Sequence, residues 1–327
     1  MTTISDISRI GVDLLKLKPI EVQKGVYESY RNYLSKYFDN GLEKEECFDH
    51  IPCPLCKTDN EELLFELDHF KYKHCKNCSS IYNSPRLKKE LLYKMYSEGE
   101  YENYVNQLTL PGDEIRKSVT EVRKYQQVSA LFEKTGKMLD VGCGAGVFLS
   151  MATENGWDST GIELSRTGCQ AACEKGVKIV ETSFDDYHTS QRFDCITFWG
   201  VLEHVTDPIE QLEKAISLLN PGGVIVFEAP SSDSLLMQYI RKRNITPYRY
   251  IESARHLSFF SRKSIDLVCE NNDLDLEYIE SNGLDVQTIL LHEFDSEIIN
   301  KIMDIQKIID ERLLGDHYRV FLRKKNG

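Results

Sequence analysis

No stretch of the 327 residues offers the roughly 20 successive apolar residues that a membrane-crossing helix needs. The opening residues, MTTISDISRI, also lack the charged-then-apolar order of a secretory signal, so a cytoplasmic protein is expected. Basic excess is missing as well: 40 Lys and Arg stand against 52 Asp and Glu, for a formal net charge of -12. That balance excludes the broad, sequence-independent attraction to nucleic acid that rests on a basic surface. It leaves room for a local basic patch such as RKRNITPYRY (Arg241–Tyr250). There is no internal repeat and no low-complexity tract.

With 41% hydrophobic residues, a chain of this length can bury one full α/β core and still carry a second module. Residues 1–49 show helical spacing, with Tyr27, Tyr30, Tyr33, Leu34 and Phe38 recurring at threes and fours as a packing face. Residues 87–136 are polar and helical, with a tyrosine-rich run, YKMYSEGEYENY. From Lys137 onward short apolar strands alternate with helical stretches: KMLDVG, DSTGIE, VKIVET, FDCITFWG, GGVIVFEAP, LEYIESNG and HYRVFLRKK. Alternation at that spacing means a mostly parallel sheet covered on both faces and joined by right-handed crossovers. The expected fold class is α/β, a doubly wound, mostly parallel seven-stranded Rossmann-like sheet over 137–327 whose last strand is antiparallel.

Ten cysteines in a long acidic chain without an export signal argue for metal rather than disulfides. Cys53, Cys56, Cys75 and Cys78 form C-x2-C-x18-C-x2-C, two knuckles that bring four thiolates into tetrahedral reach of one zinc, as in a zinc ribbon over residues 50–86. Four thiolates fill the coordination shell, so the metal is expected to hold the fold rather than do chemistry. The remaining Cys47, Cys143, Cys169, Cys173, Cys195 and Cys269 are expected to be small buried hydrophobes.

The stretch MLDVGCGAGVFL (Met138–Leu149) places Gly142, Gly144 and Gly146 between two apolar runs. A strand running into glycines and then a helix lets a ligand approach the backbone closely. A phosphate-binding P-loop needs a lysine after its last glycine, where Val147 and Phe148 stand instead. A dinucleotide loop reads G-x-G-x-x-G, whereas this one reads G-x-G-x-G, follows Asp140 and holds no basic residue. An acidic residue beside a phosphate repels it, and Asp140 suits a ligand carrying positive charge.

DVGCGAG resembles the first motif of the class I S-adenosylmethionine-dependent methyltransferases, and further matches follow in order. Glu163 closes GIELS, where the resemblance implies a carboxylate accepting hydrogen bonds from two ribose hydroxyls, with Leu164 beside it. TSFDDY supplies Phe184 and Asp185, the expected apolar contact and acidic acceptor for adenine. FDCITFWGVLEHVTDP, which carries Trp199 toward the cofactor, and LNPGGVIVFEAP resemble the family's fourth and fifth strands. The resemblance covers about residues 120–262 and extends more weakly to the end.

The loop after the fourth strand delivers Glu203 and His204 to the sheet edge where a methyl acceptor would enter. His204 is a candidate base near neutral pH, or a helix-start histidine satisfied by backbone. ESARHLSFFSRKSI adds His256 before an aromatic strand and a helix-starting serine. This segment is similar to one in a methyltransferase subgroup that carries an N-terminal zinc module and methylates carbon atoms of nucleotide-linked deoxysugars. That subgroup's base lies in a Tyr-x-Glu-His run; here the positions read Ser253, Ala254, Arg255 and His256, and the subgroup's long C-terminal domain has no counterpart. Tyr96, Tyr101 and Tyr104 fall where the subgroup places tyrosines covering the acceptor. Arg249 and Arg255, with Arg241, Lys242 and Arg243, are candidates to grip an anionic acceptor.

The expected function is methyl transfer from S-adenosylmethionine to a small anionic metabolite such as a sugar nucleotide, with a structural zinc and no membrane partner. Two alternatives stand beside it. One is a zinc-ribbon-directed RNA or DNA methyltransferase or binding protein, suggested by HFKYKHCKNC and opposed by the net charge. The other is a silent methyltransferase-fold scaffold, opposed by the intact Asp140, Gly142, Gly144 and Glu163.

Overall fold

In the computed structural model, residues 20–97, 99–243, 250–290 and 303–325 are described, together with Ile4 and Ile7. The N-terminal helix Ile20–Ser35 buries Tyr30 and Leu34 of the expected face together with Val26, while Tyr27 and Tyr33 are half-buried. It stops short of Phe38, which instead opens a two-stranded ribbon, β1 (Phe38–Asp39) with β2 (Leu42–Glu43). The ribbon turns through Asn40 and Gly41, both at positive φ, conformations that favour Asn and Gly.

β3 (Phe48–Asp49), β4 (Glu61–Leu67), β5 (Phe70–Cys75), β6 (Ile81–Asn83) and β7 (Arg86–Leu87) follow. β3 pairs with β7, so the boundaries expected near residues 49 and 86 fall inside one paired unit. β4, β5 and β6 form an antiparallel meander carrying the cysteine knuckles. Helical segments, including Lys89–Ser97, Glu100–Tyr104 and Val122–Ser129, lead from β7 to the large sheet.

β8 (Lys137–Val141), β9 (Asp158–Glu163), β10 (Lys178–Glu181), β11 (Phe193–Trp199), β12 (Leu219–Pro230), β13 (Ser258–Phe259), β14 (Leu274–Asn282) and β15 (His317–Lys324) complete the strands. Seven of them build one sheet in the order β10-β9-β8-β11-β12-β15-β14. The first five are parallel, and β15 runs antiparallel to both neighbours. β11, buried on both faces for most of its length, reads as an apolar run because helices cover both sides. The strand order reverses between β8 and β11, and ligands of open α/β sheets bind beyond the strand ends at such a point.

The helices of this sheet begin where the sequence supplies caps. Asp207 Oδ1 accepts from Ile209 and Glu210 N–H ahead of helix Pro208–Leu218, with proline at the first position. Ser261 and Ser264 cap helix Arg262–Asn271 reciprocally.

β13 does not join the large sheet. It pairs with β6, Ser258 opposite Tyr82 and Phe259 opposite Ile81, extending the meander with a strand from the far side of the chain. Cys53, Cys75 and Cys78 accordingly share one buried cluster with Leu139, Phe198, Phe227 and Phe260 of the sheet. Ser261 Oγ donates to the Cys78 carbonyl, and Lys57 pairs with Asp207. Of the six other cysteines, Cys169, Cys195 and Cys269 are buried as expected; Cys47 and Cys143 are half-buried, and Cys173 lies exposed on helix Arg166–Glu174.

Candidate functional site

The turn after β8 takes φ of +67°, +52° and +70° at Gly142, Gly144 and Gly146. The three glycines differ in what surrounds them. A Cβ on Gly142 would meet Val201 at 2.6 Å, and one on Gly146 would meet Ala172 at 2.8 Å, whereas Gly144 faces open space. Packing therefore demands the outer two, and the middle one leaves room for a ligand.

Asp140, at the foot of this turn, is 1% exposed and accepts a hydrogen bond from Thr197 Oγ1 at 2.6 Å. Burial pushes its carboxyl up to about 7, although the Thr197 bond opposes the shift. A carboxyl raised by burial in this way favours a cation brought to it. An ammonium or sulfonium restores the charge balance and a phosphate worsens it.

At the end of β9, Glu163 is 5% exposed. Its Oε2 accepts from Gly144 N–H at 2.8 Å, and its Oε1 from Leu164 and Ser165 N–H at 2.9 and 2.7 Å. Burial raises this carboxyl above its ordinary range while the three backbone bonds pull it down. A carboxylate has about four acceptor sites, so Oε2 keeps capacity for a ligand hydroxyl.

Glu102 belongs to none of the sequence motifs. From helix Glu100–Tyr104 it accepts Ser165 Oγ at 2.9 Å and Thr167 N–H at 3.3 Å, fastening the tyrosine-bearing segment across the β9 end. Its only signal in the sequence is its place between Tyr101 and Tyr104.

The predicted adenine contacts are more internal than expected. Phe184 is 5% exposed and packs edge-on against Phe198 in the core. Asp185 receives Gln211 at 2.6 Å, Lys89 at 2.6 Å and the Tyr93 hydroxyl. Burial works to raise Asp185, and these hydrogen bonds outweigh it, holding the carboxyl below its usual range. Trp199 is flanked by Lys124 at 4.8 Å and Arg319 at 5.6 Å from its ring.

Glu203, His204 and His256 converge. The two imidazole centroids are 5.0 Å apart, and Glu203 Oε1 lies 3.8 Å from His204 Nε2. His204 Nδ1 bonds the Arg255 carbonyl and His256 Nδ1 the Tyr250 carbonyl, both at 2.8 Å. Burial pushes His204 well below its ordinary value, with His256 and Arg255 adding to the shift. Burial likewise lowers His256 to about 4 and raises Glu203 to about 8. Both histidine shifts favour the neutral imidazole, the form a base requires, and the Arg255 carbonyl satisfies His204 Nδ1 as the alternative reading of that histidine expects.

Arg255 does not join an exposed basic patch. It is 7% exposed and pairs with Glu252 at 2.7 Å, under the rings of Tyr104, Tyr101 and Tyr30 at 4.2, 5.5 and 5.9 Å. Arg241, Lys242 and Arg243 are exposed at the end of a separate helix, Leu235–Arg243. Arg249 lies outside the described residues. Tyr96, Tyr101 and Tyr104 do come together with Arg255, lining one narrow cleft with Tyr27, Tyr30, Val26 and Met95.

The four predicted cysteines also come together, every sulfur within 4.8 Å of the others. Cys53 to Cys78 measures 3.6 Å and Cys56 to Cys75 3.5 Å, near the ~3.8 Å between thiolates around a tetrahedral zinc at about 2.3 Å. Lys57 and Ser79 sit at positive φ, and their N–H groups close turns onto the Cys53 and Cys75 carbonyls.

A family model described as a methyltransferase domain matches residues 114–279. The chain belongs to that family. It carries a class I S-adenosylmethionine-dependent methyltransferase domain beside a four-cysteine cluster consistent with a zinc module. The methyltransferase domain is 34% identical over 114 residues to the ubiquinone biosynthesis O-methyltransferase of Actinobacillus pleuropneumoniae, covering 31% of this chain and 48% of that one. It is 30% identical over 109 residues to the Vibrio vulnificus protein of the same name, covering 31% and 46%. The chain thus spans about half the length of the curated relatives it matches. Magnesium protoporphyrin IX methyltransferase from Synechocystis, solved with SAH bound, superposes with a TM-score of 0.51 at 10% identity, covering 73% of this chain and 100% of that one, and shares the fold. Among the described residues no helix is long and apolar enough to cross a membrane.

Proposed function

We propose that this protein transfers a methyl group from S-adenosylmethionine to a small-molecule acceptor. The observation that carries the reading is the buried, cation-seeking Asp140 beside the open face of Gly144 and the Glu163 carboxylate. The cofactor, when bound, supplies an electrophilic methyl group on a positively charged sulfur. Asp140 and the turn hold its methionine end, and Glu163 Oε2 takes a ribose hydroxyl. Phe184 bounds the adenine side, where Asp185 serves only as its protein partners release it, and Leu164 and Trp199 are further cofactor contacts.

Catalysis of such a displacement rests on positioning the acceptor in line with the methyl group and on removing its proton. The cleft of Tyr96, Tyr101 and Tyr104 serves to shield the acceptor from water, and the adjoining Glu203, His204 and His256 cluster is the candidate set for promoting loss of its proton. The relatives' printed name supports an oxygen acceptor. An anionic acceptor such as a sugar nucleotide keeps Arg241, Lys242 and Arg243 as support and loses Arg255, which Glu252 neutralises. The four cysteines bind one structural zinc.

Calorimetric titration tests the reading: one S-adenosylmethionine site per chain, lost in Glu163→Ala, supports it, and no binding to the intact protein overturns it.

A further inference from the structure

The two histidines are oriented by acceptors that leave no choice of tautomer. A backbone carbonyl can only accept, so His204 Nδ1 and His256 Nδ1 both carry the proton in their 2.8 Å bonds to Arg255 and Tyr250. In a neutral ring this puts the lone pair on Nε2. Two such lone pairs, held by backbone, are the usual dress of metal-ligating histidine, whose second nitrogen donates to a carbonyl or carboxylate.

Beside them stands a carboxyl group with one unpartnered oxygen. Glu203 is 3% exposed, and its Oε2 is buried with no hydrogen-bond partner. Burying an acceptor without a partner is costly, and a native structure keeps such a group for a reason. One ligand atom from each of Glu203, His204 and His256 lies within 4.8 Å of the others. A cation about 2.1 Å from each needs ligand atoms roughly 3 to 4 Å apart, so the three have only to draw in slightly.

We propose that Glu203, His204 and His256 form a site for a divalent first-row transition-metal cation at the acceptor end of the methyltransferase cleft. Two imidazoles and one carboxylate suit zinc, cobalt, iron or nickel and leave coordination positions open, unlike the closed four-cysteine cluster 53–78. The site adjoins the cleft, since the His204 ring is 6.0 Å from that of Tyr96. The inference deepens the methyl-transfer reading and, for its catalytic role, rests on it. An acceptor hydroxyl held against the cation ionises more easily. Its proton passes to water, the oxygen bonds to the methyl carbon, and the carbon–sulfur bond breaks with its electron pair left on sulfur.

The test is a cobalt titration of the full chain with zinc already in the cysteine cluster, read by visible absorption and calorimetry. One additional Co2+ per chain is expected, with weak d–d bands and none of the intense thiolate charge transfer that entry into the cysteine cluster would show. Glu203→Gln and His256→Gln, nearly the same size as the residues they replace, should each weaken cobalt binding about tenfold or more with zinc content and S-adenosylmethionine affinity retained. Absence of any cobalt site beside the zinc, or cobalt binding that both variants leave unchanged, overturns the proposal. Cobalt binding by a chain that does not bind S-adenosylmethionine would overturn the methyl-transfer reading and leave the cation site standing.

Discussion

Glu163 Oε2 accepts the backbone N–H of Gly144 at 2.8 Å, so the end of β9 and the turn after β8 are locked into one piece. Glu163→Gln keeps the size but offers a single acceptor oxygen and turns an amide donor toward backbone N–H groups. We expect a stability loss of about 2 kcal/mol and S-adenosylmethionine affinity weakened about tenfold or more. Urea denaturation and calorimetry on the same samples check the two effects together.

The glycines of the turn should separate by what they fail. Gly146→Ala drives a Cβ to 2.8 Å from Ala172 Cβ and 3.2 Å from its Cα, and we expect a loss of about 3 kcal/mol from overpacking and left-handed backbone together. Gly144→Ala has open space around its new methyl and should cost about 1 kcal/mol, yet that methyl projects where the ligand approaches. Thermal denaturation should single out Gly146→Ala, and binding should single out Gly144→Ala.

Asp140 makes ligand affinity pH-dependent with a definite sign. Burial raises its carboxyl to about 7 in the folded protein, above the ~3.9 of an unfolded aspartate. Its contribution to stability is therefore fully present below pH ~4 and is lost as pH rises through about 7. A cationic ligand binds the ionised form, so affinity should rise as pH approaches 7 from below and level off above it. Binding at neutral pH should release a fraction of a proton, seen as a dependence of the calorimetric heat on buffer ionisation enthalpy. Asp140→Asn should abolish both effects.

The cysteine module should unfold with the large sheet rather than before it, because Cys53, Cys75 and Cys78 share a buried cluster with Leu139 and Phe198. Cys75→Ser should lower zinc content from about one per chain to near zero and reduce the melting temperature by about 10 °C or more. A single cooperative transition in the wild-type protein, followed by tryptophan fluorescence and by zinc release, checks the coupling.

What was legible in the sequence follows from what is local. Each of the seven large-sheet strands could be read because its apolar run is set off by helices and turns, and the antiparallel β15 because it closes the series. The cysteine cluster was legible because metal geometry imposes fixed spacing. The pairing of Ser258 and Phe259 with Tyr82 and Ile81 was not, since nothing in either segment encodes a partner so distant along the chain. The setting of Arg255 was not legible for a related reason: the sequence marks a cation near the acceptor, while only the fold shows it lining the tyrosine cleft with its burial made tolerable by Glu252 three residues earlier. Asp185 was correctly set beyond the third parallel strand, but Lys89, Tyr93 and Gln211 reach it from two other elements. The sequence pattern finds where a carboxylate stands, and only tertiary structure shows what it already holds.

A crystal structure of the full chain grown with S-adenosylhomocysteine would decide the matter most directly. The nucleoside is expected against Gly144, its ribose hydroxyls on Glu163, and its sulfur directed toward Glu203, His204 and His256. A nucleoside seated elsewhere, or a dinucleotide's pyrophosphate lying against Asp140 and the glycine turn in a parallel soak, would contradict the methyl-transfer reading.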